Sequence, residues 1–196
     1  MFFIRKYNAE TPGFGIWNQG FSEDEVEKIL FLEKTLKFTK GQVGGEQSVD
    51  IQARNSKVSF LPIDTNTDWV WQRLSQIIPK ANYDLFLKDI SAIEAIQYTI
   101  YESKHEQFYD WHLDAHPQYN DLVRKISLSI SLSDPDEYEG GDLEIINNGN
   151  PENSLKLRAN KGDIVFFDSM HPHKVHPVTS GKRKSLVAWV LGKSEG

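Results

Sequence analysis

The chain has 196 residues, of which 39% are hydrophobic, 12% aromatic and 26% charged. That is enough bulky apolar surface for one core in a single domain, 1–196, and too much for a disordered or collagen-like chain. The absence of cysteine excludes disulfides, thiolate metal sites, iron–sulfur clusters and cysteine nucleophiles, and fits a reducing compartment. A net charge of −6 disfavours a nucleic-acid partner, and with no run of ~20 apolar residues and too short an apolar start for a leader, a cytoplasmic protein without membrane contact is expected.

The first predicted element is an amphipathic helix over 22–37. Ser22 and Glu25 form a capping box, Val26, Ile29, Leu30 and Leu36 recur at helical spacing, and acidic residues precede Lys28, Lys34 and Lys37. The stretch Lys40-Gly41-Gln42-Val43-Gly44-Gly45-Glu46 lacks the closing Gly-Lys-Ser/Thr of a phosphate loop and reads as a flexible connection. A second helix is predicted from Thr67 to about Ile78, with Pro79 as its stop. From about Phe86 the texture changes to short β-branched and aromatic runs. Turn signals at Asp134-Pro135, Glu139-Asp142, Asn147-Gly149, Lys161-Asp163 and Ser180-Lys182 separate them. Helices followed by strands predict an α+β fold, with about 1–85 as helical support and lid and about 86–192 as a mostly antiparallel sheet structure. Alternation over Ile126–Leu132 puts Ser127, Ser129 and Ser131 on one face, as on a half-exposed strand, whereas 183–190 has two apolar faces and reads as buried, with Arg183 at its mouth. A buried strand led by arginine suggests a barrel or jelly roll with a polar cavity facing an anion.

The six histidines fall into two clusters: His105, His112 and His116, and His171, His173 and His176. On extended backbone, His112 and Asp114 point to the same side and can grip one metal. A third ligand from the second cluster would complete a 2-His-1-carboxylate triad with open positions, as on Fe(II). His173 shares its face with Val175 and is the better inward candidate, and His176 the better surface one. Two readings compete: a polar loop without a ligand, and a zinc site made by the second cluster alone, which has no adjacent carboxylate or thiolate to close it. Arg183 lies ten positions beyond His173, and a hairpin at Ser180-Gly181-Lys182 would bring its fork near the metal to bind a small dicarboxylic co-substrate. No Gly-x-Ser-x-Gly elbow, His-Glu-x-x-His helix or dinucleotide fingerprint is present.

An ordered set of motifs resembles the prolyl 4-hydroxylase branch of the Fe(II)/2-oxoglutarate dioxygenases over residues 90–191. They are Tyr101, Phe108-Tyr109-Asp110-Trp111-His112-Leu113-Asp114-Ala115, Arg124-x-x-Ser127, Tyr138-Glu139-Gly140-Gly141-Asp142-Leu143, Gly162–Phe167 and His173–Arg183. The resemblance implies a double-stranded β-helix of jelly-roll, cupin-like form, with His112, Asp114 and His173 as iron ligands. It makes Arg183 the partner of the distal carboxylate of 2-oxoglutarate and Tyr101 a further contact to it. Residue 131 is serine where some relatives carry a co-substrate-binding tyrosine. The implied reaction consumes O2, releases succinate and CO2, with ascorbate as a possible accessory, and hydroxylates a prolyl residue in a protein or peptide substrate. The alternatives are a 2-oxoglutarate oxygenase of another small molecule or a nucleobase, and a non-catalytic metal-binding β-helix. Residues 39–57, including Arg54-Asn55-Ser56-Lys57, resemble the mobile segment that closes over the peptide in prolyl hydroxylases. Trp17, Trp111 and Tyr119 are lower-ranked candidates to stack on a substrate.

Overall fold

The computed structural model describes residues 13–41, 50, 52–115 and 121–194. Strand β1 (Phe14–Trp17) precedes helix α1 (Glu23–Leu32); the short strands β2 (Thr39–Lys40), β3 (Arg54–Asn55) and β4 (Lys57–Phe60) lead to helix α2 (Asp68–Leu85). The strands that follow are β5 (Ala92–Glu102), β6 (Phe108–His112), β7 (Leu122–Ser131), β8 (Tyr138–Gly140), β9 (Leu143–Ile146), β10 (Ser154–Leu157), β11 (Ile164–Asp168), β12 (His173–Val175) and β13 (Val178–Lys193). The described residues up to 85 therefore supply four strands as well as the two helices.

Both helices start as predicted and end elsewhere. The Ser22–Glu25 capping box is formed, but α1 stops at Leu32. There the Thr35 hydroxyl donates to the Leu32 carbonyl at 3.0 Å and the chain tightens into i→i+3 bonds. Helix α2 runs through Pro79, so the predicted stop is corrected. A proline in a helix interior costs about 3 kcal/mol. The buried stripe of Val70, Leu74, Ile77, Ile78 and Ala81 continues on both sides of it, and burying each large apolar side chain stabilises by about 1.5–3 kcal/mol, which outweighs one lost bond.

The strands form two antiparallel sheets. The larger runs β2-β4-β5-β13-β7-β11-β1, with β8 attached to the start of β13, and the smaller runs β3-β6-β12-β9-β10. The helices cover one face of the larger sheet over a core that includes Ile96, Tyr98, Leu128, Ile130, Phe166 and Leu186. Between the sheets lies a second cluster, in which Tyr101, Val165 and Phe167 of the larger sheet meet Leu143, Ile145 and Val175 of the smaller. This is the expected double-stranded β-helix buttressed by helices.

Two strand expectations change. Strand β7 lies between β11 and β13, and its serine face is turned inward: Ser127 is 0% exposed and Ser129 is buried. The alternation marks two buried environments, one apolar under the helices and one polar between the sheets, and not a half-exposed strand. Ser180-Gly181-Lys182 is not a turn but part of β13. The chain changes sheet earlier, at His176-Pro177, and Gly181 sits in the left-handed region (φ +68) where a Cβ would meet the Glu137 carbonyl at 2.1 Å. Glycine absorbs the bend there and the strand continues. Among the described residues no helix is long and apolar enough to cross a membrane.

Candidate metal and co-substrate site

Strand pairing assembles the site from the smaller sheet. His112 ends β6 and His173 begins β12 directly opposite it. Asp114 lies just past the strand end, where the amides of Asp114 and Ala115 both donate to the Ser169 carbonyl, at 3.1 and 3.0 Å. The His173 Nε2 is 3.4 Å from Asp114 Oδ2 and the His112 Nε2 is 3.8 Å from Oδ1. One ligand atom from each of the three lies within 4.8 Å of the others. Each imidazole points its Nδ1 at a main-chain carbonyl two residues upstream, His112 at Asp110 (2.8 Å) and His173 at His171 (2.9 Å). Donation from Nδ1 fixes the tautomer and leaves both Nε2 lone pairs toward the shared centre.

The surroundings hold the three groups ready. Ser127 Oγ donates to Asp114 Oδ2 at 2.8 Å, and Ser169 Oγ, 2.9 Å away, is left to donate to Ser127. Tyr109 stacks on His112 with centroids 3.5 Å apart and planes 16° apart, and Phe167 abuts His173. Burial alone would raise the Asp114 carboxyl, but the imidazoles of His173 and His112 beside it and the bond from Ser127 hold it well below the usual carboxylate range. Burial, then the His173 charge, pushes the His112 imidazolium down to about 3. At neutral pH the centre therefore presents a carboxylate and an uncharged His112.

A pH dependence follows. The unfolded chain protonates His112 near 6.5 and Asp114 near 3.8, while the folded chain resists both. Stability is thus complete above about pH 6.5 and declines as pH falls. Thermal melts of the metal-free protein are expected to show the midpoint dropping between pH 6.5 and 4, with a flatter profile in His112→Gln. An equally steep profile in that variant would contradict the account.

The facing wall belongs to β13, on which Arg183, Ser185, Val187 and Trp189 alternate onto the inner side. Arg183 is 8% exposed, pairs across the strands with Tyr101, and lies 5.6 Å from that ring. Its Nη1 donates to Ser185 Oγ at 3.4 Å, and no carboxylate of the described residues pairs with it. Trp189 stands opposite Ser127 in the register. It is buried with its Nε1 unpartnered, and Arg124, held bidentately by Glu94 at 2.6 and 3.0 Å, lies 4.1 Å from its ring. The pattern suits a small anion at the Arg183 end and a flat apolar group against Trp189.

The model of the 2OG-Fe(II) oxygenase superfamily matches residues 96–191, from within β5 to near the end of β13. Just under half of the chain is therefore similar to that superfamily. A PKHD-type hydroxylase of Psychrobacter sp. (strain PRwf-1) is 42% identical over 89 residues, 43% of this chain and 33% of that protein. The match thus spans about a third of that curated relative. Among solved structures, a prolyl hydroxylase of Trichoplax adhaerens in complex with a hypoxia-inducible-factor peptide superposes with a TM-score of 0.75 at 19% identity, over 92% of this chain and 84% of that one. A Pseudomonas putida prolyl-4-hydroxylase gives 0.70 at 20%, over 93% of each chain. At these identities the structures show a shared fold.

The oxygenase fold brings His112, Asp114 and His173 together, with Tyr101 beside Arg183, and leaves the remaining candidates apart. His176 sits on the outer side of β12, its Nε2 2.5 Å from Glu144 Oε2. Among the described residues the three histidines 171, 173 and 176 make no metal group. Trp17 lies in a surface groove with Pro79 and Tyr83, and Trp111 is exposed with the Lys174 ammonium 4.6 Å from its ring. Tyr119, and residues 42–49 and 51 of the segment read as a lid, lie outside the described residues. Ser131 spends its hydroxyl on the Ser133 carbonyl at 3.0 Å. No role for Ser127, Ser169, Tyr109, Ser185 or Trp189 is assigned by sequence reasoning, although Ser127 and Tyr109 fall within quoted motifs and the Ser-x-Ser alternation also marks Ser127.

Proposed function

We propose that this protein is an Fe(II)- and 2-oxoglutarate-dependent hydroxylase acting on a prolyl residue in a protein or peptide. The observation that carries the reading is the pairing of a two-histidine, one-carboxylate group, half-buried at His112 and buried at Asp114 and His173, with a buried arginine that has no carboxylate partner among the described residues. The donor set suits Fe(II): two imidazole nitrogens and one carboxylate would hold it and would leave positions open for co-substrate and O2. Iron and 2-oxoglutarate bound there would supply the O2-dependent oxidation of a substrate C–H bond, with succinate and CO2 as co-products.

The chain's own residues position and insulate that chemistry. His112, Asp114 and His173 hold the metal, and Ser127 fixes the carboxylate that binds it. Arg183 takes the far carboxylate of 2-oxoglutarate in its fork, with Tyr101 and Ser185 alongside. Val165 and Phe167, both buried between the sheets, keep water from the centre. Trp189 offers the flat wall and free N–H that would seat a pyrrolidine ring and an adjoining peptide carbonyl. Support for a prolyl substrate comes from the prolyl hydroxylases that share the fold, one of them holding a peptide.

A panel of proline-containing peptides, with alanine counterparts and a nucleoside set, tests the substrate class. The expected result is succinate release coupled to gain of one oxygen atom on proline, seen by mass spectrometry. Coupled turnover confined to non-peptide substrates would replace the prolyl reading and keep the oxygenase.

A further inference from the structure

Arg158, just beyond β10, has no part in the site described above, yet its guanidinium is saturated by one loop. Nε donates to Asp142 Oδ1 at 2.8 Å and Nη2 to the Gly140 carbonyl at 2.7 Å, while Nη1 faces the carbonyls of Tyr138 (3.3 Å) and Pro135 (3.4 Å). Its Cζ lies 5.1 Å from the Tyr138 ring. A surface ion pair would need Asp142 alone. Here three main-chain carbonyls converge as well, and all of the acceptors belong to residues 135–142, the stretch that carries β8.

The other side of that stretch meets Arg183. Gly141 holds φ +66, and a Cβ there would lie 3.1 Å from Arg183 Cδ and 3.2 Å from Tyr138 Cε2. Strand β8 also pairs with the start of β13, Gly140 opposite Val178 and Tyr138 opposite Gly181, so it fixes the strand two residues before Arg183. The stem of the buried arginine therefore rests on a loop whose shape is set by a second arginine about a third exposed to solvent.

We propose that Arg158 is a positioning residue for co-substrate binding: it holds residues 135–142 against the stem of Arg183 and so sets the direction of that guanidinium. The inference rests on the reading of Arg183 as the 2-oxoglutarate anchor. A side chain that must hold a bidentate fork within a fraction of an ångström needs such outer support.

The test uses the full chain loaded with Mn(II) and calorimetric titration of 2-oxoglutarate, beside a separate titration of Mn(II) alone. Arg158→Met is expected to weaken 2-oxoglutarate binding on the order of tenfold, the lower end of what loss of an outer partner costs, with Mn(II) affinity unchanged. Arg158→Lys, which can satisfy part of the acceptor set, should recover part of that loss and decides the matter if the methionine variant does not fold. Arg183→Met is the reference. If it abolishes binding while both Arg158 variants bind like wild type, the inference alone falls; if it leaves 2-oxoglutarate binding intact, the anchor assignment falls and the inference with it. Equal losses of Mn(II) and 2-oxoglutarate affinity in the Arg158 variants would show a general structural role and overturn the proposal.

Discussion

Replacing His173 by alanine is expected to remove metal binding and 2-oxoglutarate turnover together, while His176→Ala leaves both close to wild type. The contrast is demanding because the two histidines are three residues apart and chemically identical. His173 is 5% exposed, faces Asp114 at 3.4 Å and has its Nδ1 committed to the His171 carbonyl. His176 is turned to the outer side and paired with Glu144. Loss of an outer-shell partner weakens metal binding roughly 10–100-fold, so loss of a ligand itself should exceed that range. Metal titration of the three proteins reads the outcome directly. Equal losses in both variants would refute the ligand assignment.

Arg183→Met should produce two effects of opposite sign. Removing one partner of a buried charge pair costs about 2–5 kcal/mol, so 2-oxoglutarate affinity is expected to fall roughly 30-fold or more. The ligand-free protein, by contrast, should become more stable. Among the described residues its buried guanidinium has a long bond to Ser185 and a distant ring for company and no carboxylate, and a buried charge without an anion is costly. A higher melting midpoint without ligand, together with lost stabilisation by added 2-oxoglutarate, is the signature. A variant that is less stable and still binds 2-oxoglutarate would mean that Arg183 is a structural residue.

The residues that were legible in the sequence are those whose geometry is local. Ser22 and Glu25 are three apart, and the cap they predict is formed. His112 and Asp114 are two apart on extended chain, and the face shared by His173 and Val175 follows from the same period. What was not legible depends on contacts between distant positions. Ser127 reaches Asp114 across thirteen residues and Ser169 across forty-two. From its own strand the serine row looks like a solvent face, because sequence alternation marks polarity and not burial. Pro79 failed as a stop signal because tertiary packing of the helix on the larger sheet outweighed a local penalty. Ser180-Gly181-Lys182 failed as a turn because a glycine with positive φ serves equally as a bend within a long strand. The Arg158 clasp on residues 135–142 spans sixteen or more positions and has no sequence signature at all.

The central claim is that one cavity holds Fe(II) and 2-oxoglutarate together. Its most direct test is to add Fe(II) and then 2-oxoglutarate to the metal-free protein under anaerobic conditions and record the visible spectrum. The account predicts a metal-to-ligand charge-transfer band that requires both additions and is absent in His173→Ala. A folded protein that binds no iron and shows no band would contradict it, leaving the double-stranded β-helix without the chemistry assigned to it.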